Sequence, residues 1–276
     1  MLKQRIVTAV VLLLALAAVL GSGSQLAFQL TLALFFGAAC WEALKLFHVR
    51  YPLPLAALAA VMLVVLLHGV PVTNWTPLAL LCVLIWGLRF MPALKVGLPA
   101  VEGARGVLFT LVFLIALLGC FIAIAALYQR SAVYLVSIMA IVWVADIGAY
   151  FAGRAFGKHK LALHISPGKS WEGAAGGWAA VLVLAAASCF HPFFADTFAV
   201  RLQQHTGWPV WVLLMSLLVG ASIVGDLFES LLKRRAGIKD SSNLLPGHGG
   251  VLDRIDALIP VMPLALLLSV QISARL

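Results

Sequence analysis

The chain has 276 residues, of which 63% are hydrophobic and only 11% are charged. Soluble globular domains are about 45–50% apolar and about 25% charged, so this composition excludes an ordinary soluble domain and indicates an integral membrane protein. Its 19 Lys and Arg against 10 Asp and Glu give a net charge of +9, which favours anionic lipid head groups over nucleic acid as a partner.

The hydropathy pattern predicts an all-α, polytopic membrane protein with about nine transmembrane helices, because a bilayer core requires about 20 mostly apolar residues per helix. The predicted spans are residues 6–20, 26–47, 53–68, 70–88, 107–127, 133–151, 173–190, 208–225 and 257–272. The first span resembles a secretory signal peptide, but further apolar spans follow it at once, so we interpret it as a membrane helix.

The distribution of positive charge predicts the orientation. With nine spans and a cytoplasmic N-terminus, all of the 19 Lys and Arg except Arg130, Arg201 and Arg275 fall on the cytoplasmic side. Such a bias is typical of inner-membrane proteins. Both large polar loops, residues 152–172 and 230–256, then lie at the cytoplasmic face, so one site can use both.

The four cysteines, Cys40, Cys82, Cys120 and Cys189, all lie inside apolar runs. None forms a CxxC pair, so we interpret them as buried apolar residues rather than zinc ligands or disulfide partners.

Two acids lie at or near membrane depth. Asp146 is near the inner end of the sixth span, and Asp226 is where the eighth span meets the cytoplasm. A carboxylate at the centre of a membrane helix costs about 2.5–3.5 kcal/mol, so such residues pair with a cation or face a polar cavity. A salt bridge to a nearby Lys or Arg is the structural alternative to a functional site.

The spacing of neighbouring polar residues favours a site. Asp226, Ser230 and Lys233 share one helical face if the helix continues past residue 225. Asp253 and Asp256 also point the same way if they open the ninth helix. Grouped carboxylates suit Mg²⁺, which commonly binds one or two of them together with substrate phosphates. A carboxylate pair for acid–base chemistry is the alternative, but the surrounding cations favour ionised acids and therefore a metal.

Glycine-rich segments lie within the same loops. Gly249 and Gly250 allow close approach of a ligand, and consecutive N–H groups can bind phosphate, although a plain turn explains the pair equally well. For His248, the alternative to a role in the site is an ordinary surface or hydrogen-bonded histidine. In the first loop, Lys169 lies in SPGKS, a phosphate-friendly segment without the spacing of a Walker A motif. A basic loop lying on anionic lipid is the alternative there.

The stretch SLLKRRAGIKDSSNLLPGHGGVLDRID, residues 230–256, resembles the signature of the phosphatidate cytidylyltransferases, or CDP-diacylglycerol synthases. The matching residues are Ser230, Lys233-Arg234, Lys239-Asp240, Ser242, Leu245-Pro246, His248-Gly249-Gly250-Val251 and Asp253-Arg254-Ile255-Asp256. The segments DIGAYFAGRAFGKHK and ISPGKSWEG resemble the family's second polar region. A departure occurs at Gly168-Lys169-Ser170, where Lys or Asn followed by Lys-Thr is expected, but Ser retains the hydroxyl.

The resemblance implies transfer of the cytidylyl group of CTP to phosphatidic acid in the bilayer, which gives CDP-diacylglycerol and pyrophosphate. It also implies Mg²⁺, with or without a second cation, and a division into N-terminal transmembrane helices, 1–130, and a catalytic region, 131–276. The residues implicated in catalysis are Asp226, Asp253, Asp256 and Lys233. The resemblance implies Asp226, Asp253 and Asp256 as metal ligands, with Asp146 as a further ligand or a partner for a cation. The phosphate-binding residues are Ser230, Lys169, Arg234, Lys239 and Arg254, to which the pattern of the loop adds His248, Gly249 and Gly250.

Two alternative functions are compatible with the sequence. A CTP-dependent lipid-alcohol kinase would share CTP and Mg²⁺ but transfer the γ-phosphoryl group. An ion-coupled transporter would use Asp146 and Asp226 as coupling-ion sites, but its charges would be spread over several helices or two related halves. The sequence is compatible with a homo-oligomer.

Overall fold

The computed structural model describes residues 2–273, so Arg275 lies outside the described residues. The fold is built almost entirely of helices, the structure in which a membrane segment satisfies its own backbone hydrogen bonds. The helices are α1 (Leu2–Gly21), α2 (Gln25–Leu46), α3 (Pro52–Gly69), α4 (Thr76–Ile85), α5 (Met91–Val96), α6 (Gly103–Tyr128), α7 (Ala132–Phe156), α8 (Trp171–Ser188), α9 (Phe198–Arg235), α10 (Leu252–Ile255) and α11 (Leu258–Ser273). Short 3₁₀ turns lie at Val72–Trp75 and Pro192–Phe194.

Each of the nine predicted spans coincides with helix in the described part of the chain. Among these residues, six helices are long and apolar enough to cross a membrane, and Ile6–Gly21 and Leu258–Ile272 form shorter apolar helices. The polytopic, all-α prediction is therefore confirmed, whereas the number of crossings stays a prediction.

The fourth span differs most from its predicted boundaries. The helix starts at Thr76 rather than at residue 70, with Pro77 in its first turn, where proline needs no hydrogen-bond partner for its nitrogen. It continues through a π-helical turn, Trp86–Phe90, into α5 and ends at Val96. Gly97 follows with a positive φ of 87° and stops the helix.

The largest buried aromatic cluster joins this helix to the second half of the chain. The ring of Phe228 in α9 lies 4.5 Å from that of Phe90 and 5.4 Å from that of Trp86. Phe109 and Phe113 of α6 complete the cluster. Phe228 lies two positions after Asp226. This packing therefore fixes the part of α9 that carries Asp226.

Helix α9 is kinked near its start and then runs beyond its predicted end. Gly207 has a positive φ of 72°, and Pro209 follows it, a combination that breaks the regular hydrogen-bond ladder. The helix then continues to Arg235. The condition for Asp226 and Lys233 to share a helical face is therefore met.

The polar loops and parts of the N-terminal half lie at one end of the helices. In the first loop, β1 (Lys160–Ala162) and β2 (Ser166–Ser170) form an antiparallel hairpin, which the sequence did not predict. The Arg234 guanidinium donates to the carbonyl of Ile165 in this hairpin at 3.2 Å. The Arg235 side chain donates to the carbonyl of Pro99 at 3.3 Å. The segments predicted to share the cytoplasmic face thus do share one face.

Candidate active site

A cavity of about 370 Å³ lies between α7, α8, α9 and the hairpin. Its polar lining includes Asp146, Lys169 and Asp226, and small residues of α7 and α8 form part of the remaining wall. Ligand pockets commonly measure about 300–1,000 Å³ and combine an apolar wall with a few polar groups. This cavity therefore has the size and chemistry of a binding site.

A second cavity of about 1200 Å³ is larger but chemically poorer. It is lined by the N-terminal part of α7 and mainly apolar residues, at the end of α7 away from Asp146. Its carboxylate, Asp196, forms an ion pair with Arg201 at 2.6 Å. We therefore place the candidate active site in the smaller cavity.

The centre of the site is the ion pair between Lys169 and Asp226, both of which are partly buried. Lys169 is positioned by β2, whose last residue, Ser170, caps α8 by accepting a hydrogen bond from the Gly173 N–H at 3.1 Å. The Ser230 hydroxyl lies 3.5 Å from Asp226, one helical turn away. The structural alternative for Asp226, a salt bridge, is thus present within the candidate site itself.

Asp256 approaches this centre because the backbones of α9 and α11 are close. A side chain at Gly225 would collide with the carbonyl of Asp256 and with the ring of Pro260. Burial and the neighbouring Asp226 carboxylate raise the pKa of Asp256 well above its ordinary value. Asp146 lines the same cavity as Asp226 and Lys169. Two of the predicted metal ligands, Asp146 and Asp226, therefore line one cavity, and the backbone of Asp256 lies against α9 at Gly225.

Asp253 has a different environment. One carboxylate oxygen accepts a hydrogen bond from the Lys233 ammonium at 2.6 Å. The other accepts from the Ser241 N–H at 2.9 Å, the Ser241 hydroxyl at 2.8 Å and the Gly250 N–H at 2.7 Å. Burial alone would raise the pKa of Asp253, but these donors hold it below its ordinary value.

The structure thus gives Asp253 and Asp256 different partners, because α10 is only four residues long and a two-residue turn separates it from α11. Asp253 connects the loop to Lys233, which also forms an ion pair with the buried Glu229 one turn earlier in α9. Both carboxylate oxygens of Asp253 accept hydrogen bonds from protein donors in this arrangement. The role of Asp253 as a metal ligand therefore stays a prediction.

The remaining predicted phosphate-binding residues lie around the loop. Arg234, Lys239 and Arg254 are exposed. The Nδ1 atom of His248 is buried without a hydrogen-bond partner among the described residues. Gly249 has a positive φ of 81°, and the Gly250 N–H already binds Asp253. Phosphate binding by this pair stays a prediction.

Among residues 2–273, no group of three or more His, Cys, Asp and Glu side chains is arranged to hold a metal ion by itself. The neighbouring carboxylates of Asp226 and Asp256 still form a hard-oxygen donor set, and their mutual repulsion would be offset by a divalent cation. Mg²⁺ commonly binds one or two carboxylates and completes its shell with substrate phosphates. Asp226 and Asp256 therefore fit a Mg²⁺ ion whose remaining ligands are substrate phosphates.

Two buried acids were missed by sequence reasoning. Glu229 lies between Asp226 and Lys233 in α9 and could have been found from its i, i+4 spacing to Lys233. Glu42 lies in α2 and accepts hydrogen bonds from the loop of residues 241–252. Its only sequence signal was an acidic residue near the end of an apolar span.

Comparisons of this chain with a family profile and with individual proteins indicate the same family. Residues 3–271 match the sequence profile of the Cytidylyltransferase family. A phosphatidate cytidylyltransferase of Pseudomonas aeruginosa is 41% identical over 95% of this chain and 95% of its own. One from Haemophilus influenzae is 35% identical over 95% and 96%. One from Bacillus subtilis is 42% identical over 52% of this chain and 49% of its own.

Proposed function

The chain belongs to the cytidylyltransferase family, and from that premise we propose that it is a phosphatidate cytidylyltransferase, which converts CTP and phosphatidic acid into CDP-diacylglycerol and pyrophosphate. The observation that carries this proposal is the ion pair of Lys169 and Asp226 in a cavity at one end of apolar helices. A polar site at that depth gives a water-soluble nucleotide access to the head group of a lipid that stays in the bilayer.

The reaction forms one phosphorus–oxygen bond and breaks another. An oxygen of the lipid phosphate attacks the α-phosphorus of CTP, and the bond between the α-phosphorus and the bridging oxygen to the β-phosphate breaks, so that pyrophosphate leaves with the electron pair. The lipid phosphate is already ionised near neutral pH, so the chain does not have to supply a general base. It has to bring two polyanions together and hold them in line.

Cations supply most of what the protein contributes. Lys169 is ion-paired with Asp226 in the cavity. We assign Lys169 to the binding of a substrate phosphate, which would compete with the Asp226 carboxylate for the ammonium group. Arg234, Lys239 and Arg254 surround the same end of the helices and are assigned to the remaining phosphates of CTP and the lipid. Preorganised charge of this kind stabilises the negative charge that shifts during phosphoryl transfer.

We further propose that Asp226 and Asp256 hold Mg²⁺ together with substrate phosphates, with Asp146 at the edge of the site. The ion would neutralise phosphate charge and assist the departure of pyrophosphate. The carboxylates themselves orient Lys169 and keep the cavity polar. The site is proposed to face the cytoplasm from the inner membrane, since the segments rich in Lys and Arg lie at this end.

The test is to incubate the purified protein in detergent with phosphatidic acid, Mg²⁺ and CTP labelled in turn at the α- and γ-phosphates. Cytidylyl transfer predicts that the α-label enters the lipid and that the γ-label leaves in pyrophosphate. Entry of the γ-label into the lipid would instead identify a kinase. No transfer of either label to phosphatidic acid would overturn the proposed activity.

A further inference from the structure

Glu42 is a fully buried acid. It lies in the predicted N-terminal region, residues 1–130, and not in the predicted catalytic region, residues 131–276. It lies near the C-terminal end of α2, with a relative exposure of 0%. Within the described part of the chain, no cationic side chain forms an ion pair with it. A buried acid without a cation requires strong hydrogen bonds, so its partners indicate what it does.

Among the described residues, the side-chain hydrogen-bond partners of Glu42 all belong to the signature stretch 230–256, about 200 positions later in the chain. One oxygen accepts from the Ser242 hydroxyl at 2.5 Å and from the Val251 N–H at 3.0 Å. The other accepts from the Ser241 hydroxyl at 3.2 Å and from the Leu252 N–H at 2.6 Å. A single carboxylate therefore holds both ends of the segment 241–252.

The same contacts continue into the candidate site. Ser241 lies between Glu42 and Asp253, and its hydroxyl is within hydrogen-bond distance of both carboxylates. Asp253 in turn binds Lys233. Leu252, held by Glu42, is followed directly by Asp253, and Asp256 lies one turn further on. The position of α10 thus depends on an acid in α2.

We propose that Glu42 is a positioning residue for cytidylyl transfer: it closes the segment 241–252 and thereby fixes Asp253 and Asp256 against α9. The assignment rests on the proposed function for its catalytic consequence. The closure of the segment itself follows from the contacts alone. Glu42 does not line the cavity, and its hydrogen bonds go to Ser241, Ser242, Val251 and Leu252, so we assign its effect to the position of α10.

The substitution Glu42→Gln removes this closure with little change in size. Each oxygen of Glu42 receives one backbone N–H, from Val251 or from Leu252. Whichever way the Gln amide is oriented, its NH₂ group faces one of these N–H donors, and a backbone donor loses its acceptor. The matched control is Gln29→Leu, a buried polar position in the same helix that contacts no residue of the segment through the hydrogen bonds described.

The experiment compares kcat, KM for CTP and tryptic cleavage after Lys239 in the wild type, Glu42→Gln and Gln29→Leu, each purified as the folded fraction in detergent. We expect Glu42→Gln to lower kcat by about 10- to 100-fold with a smaller change in KM, as supporting residues around a site typically do. Cleavage after Lys239 should become faster only in this variant. Gln29→Leu should retain the wild-type kcat and cleavage rate.

Wild-type kcat and wild-type cleavage in folded Glu42→Gln would overturn the proposal. If Glu42→Gln does not fold, Ser242→Ala removes one donor from the loop side and should lower kcat by about 2- to 10-fold, the equivalent of one hydrogen bond. An unchanged kcat in that variant would contradict positioning. Because the cleavage assay requires no activity, failure of the proposed reaction would leave the closure itself testable.

Discussion

The ammonium group of Lys233 lies 2.6 Å from a carboxylate oxygen of Asp253 and joins the end of α9 to the beginning of α10. Lys233 also pairs with Glu229, so one cation is shared by two carboxylates whose side chains are 3% and 1% exposed. This arrangement is the main electrostatic connection between the long helix and the signature loop.

Replacing Lys233 with Met should therefore destabilise the protein. Removing one partner of a buried pair leaves uncompensated charge and typically costs about 3–5 kcal/mol. We expect a lower midpoint of thermal denaturation in detergent, together with loss of activity. Lys239→Met, at an exposed position of the same loop, should leave the midpoint nearly unchanged. Equal midpoints for the two variants would show that Glu229 and Asp253 do not depend on Lys233.

Lys169→Met tests the cation in the cavity. Lys169 is 26% exposed in its side chain and pairs with Asp226, so its loss should affect catalysis more than folding. Removing one preorganised donor to a developing charge typically lowers kcat by about 10²- to 10³-fold. The rate of CDP-diacylglycerol formation is the measurement, and Lys160→Met in β1 is the control with an exposed lysine. Equal rates for both variants would show that Lys169 has no role in catalysis.

Gly177→Ala tests the close packing of α7 and α8, which forms one wall of the cavity. A Cβ atom at Gly177 would collide with the carbonyl of Ala145 in α7, and overpacking of this kind costs about 1–3 kcal/mol. The denaturation midpoint should fall. Gly220→Ala in α9 places its methyl group in open space, and its midpoint should stay level or rise, since Ala favours helix. The same shift in both variants would contradict this account.

The orientation is tested by labelling with a membrane-impermeant maleimide. Asn243→Cys lies in the loop at the site end and Asp196→Cys lies at the opposite end, both exposed. The positive-inside rule predicts that Asn243→Cys is labelled only in inside-out bacterial vesicles and Asp196→Cys only in intact spheroplasts. A background with Cys189 replaced by Ser removes the one native cysteine among the four that is not fully buried. The reverse labelling pattern would invert the proposed topology.

Much of the fold could be predicted because its causes are local. Apolar runs of sufficient length predicted a helix at each of the nine spans, and the shared face of Asp226, Ser230 and Lys233 followed once the helix continued past residue 225. Exact helix ends were harder to predict. The break before Thr76 and the hairpin at residues 160–170 depend on turns and backbone pairing that hydropathy does not record.

The contacts of the site were less predictable because they join distant parts of the chain. Glu42 and Val251 are separated by 209 positions, and no local pattern connects them. Asp253 and Asp256 have a helical spacing, but the turn after Ile255 gives them different partners. Local spacing therefore selected candidate residues for the site, whereas tertiary packing decides which of them contact one another.

The most direct test of the account is the rate of cytidylyl transfer by Asp226→Asn compared with Asp196→Asn, both purified in detergent and matched by denaturation midpoint. Asp226 pairs with Lys169 at the centre of the cavity, and Asp196 pairs with Arg201 at the opposite end of the helices. We predict a loss of about 10²-fold or more for Asp226→Asn and a wild-type rate for Asp196→Asn. A folded Asp226→Asn variant with the wild-type rate would contradict the placement of the reaction at this site.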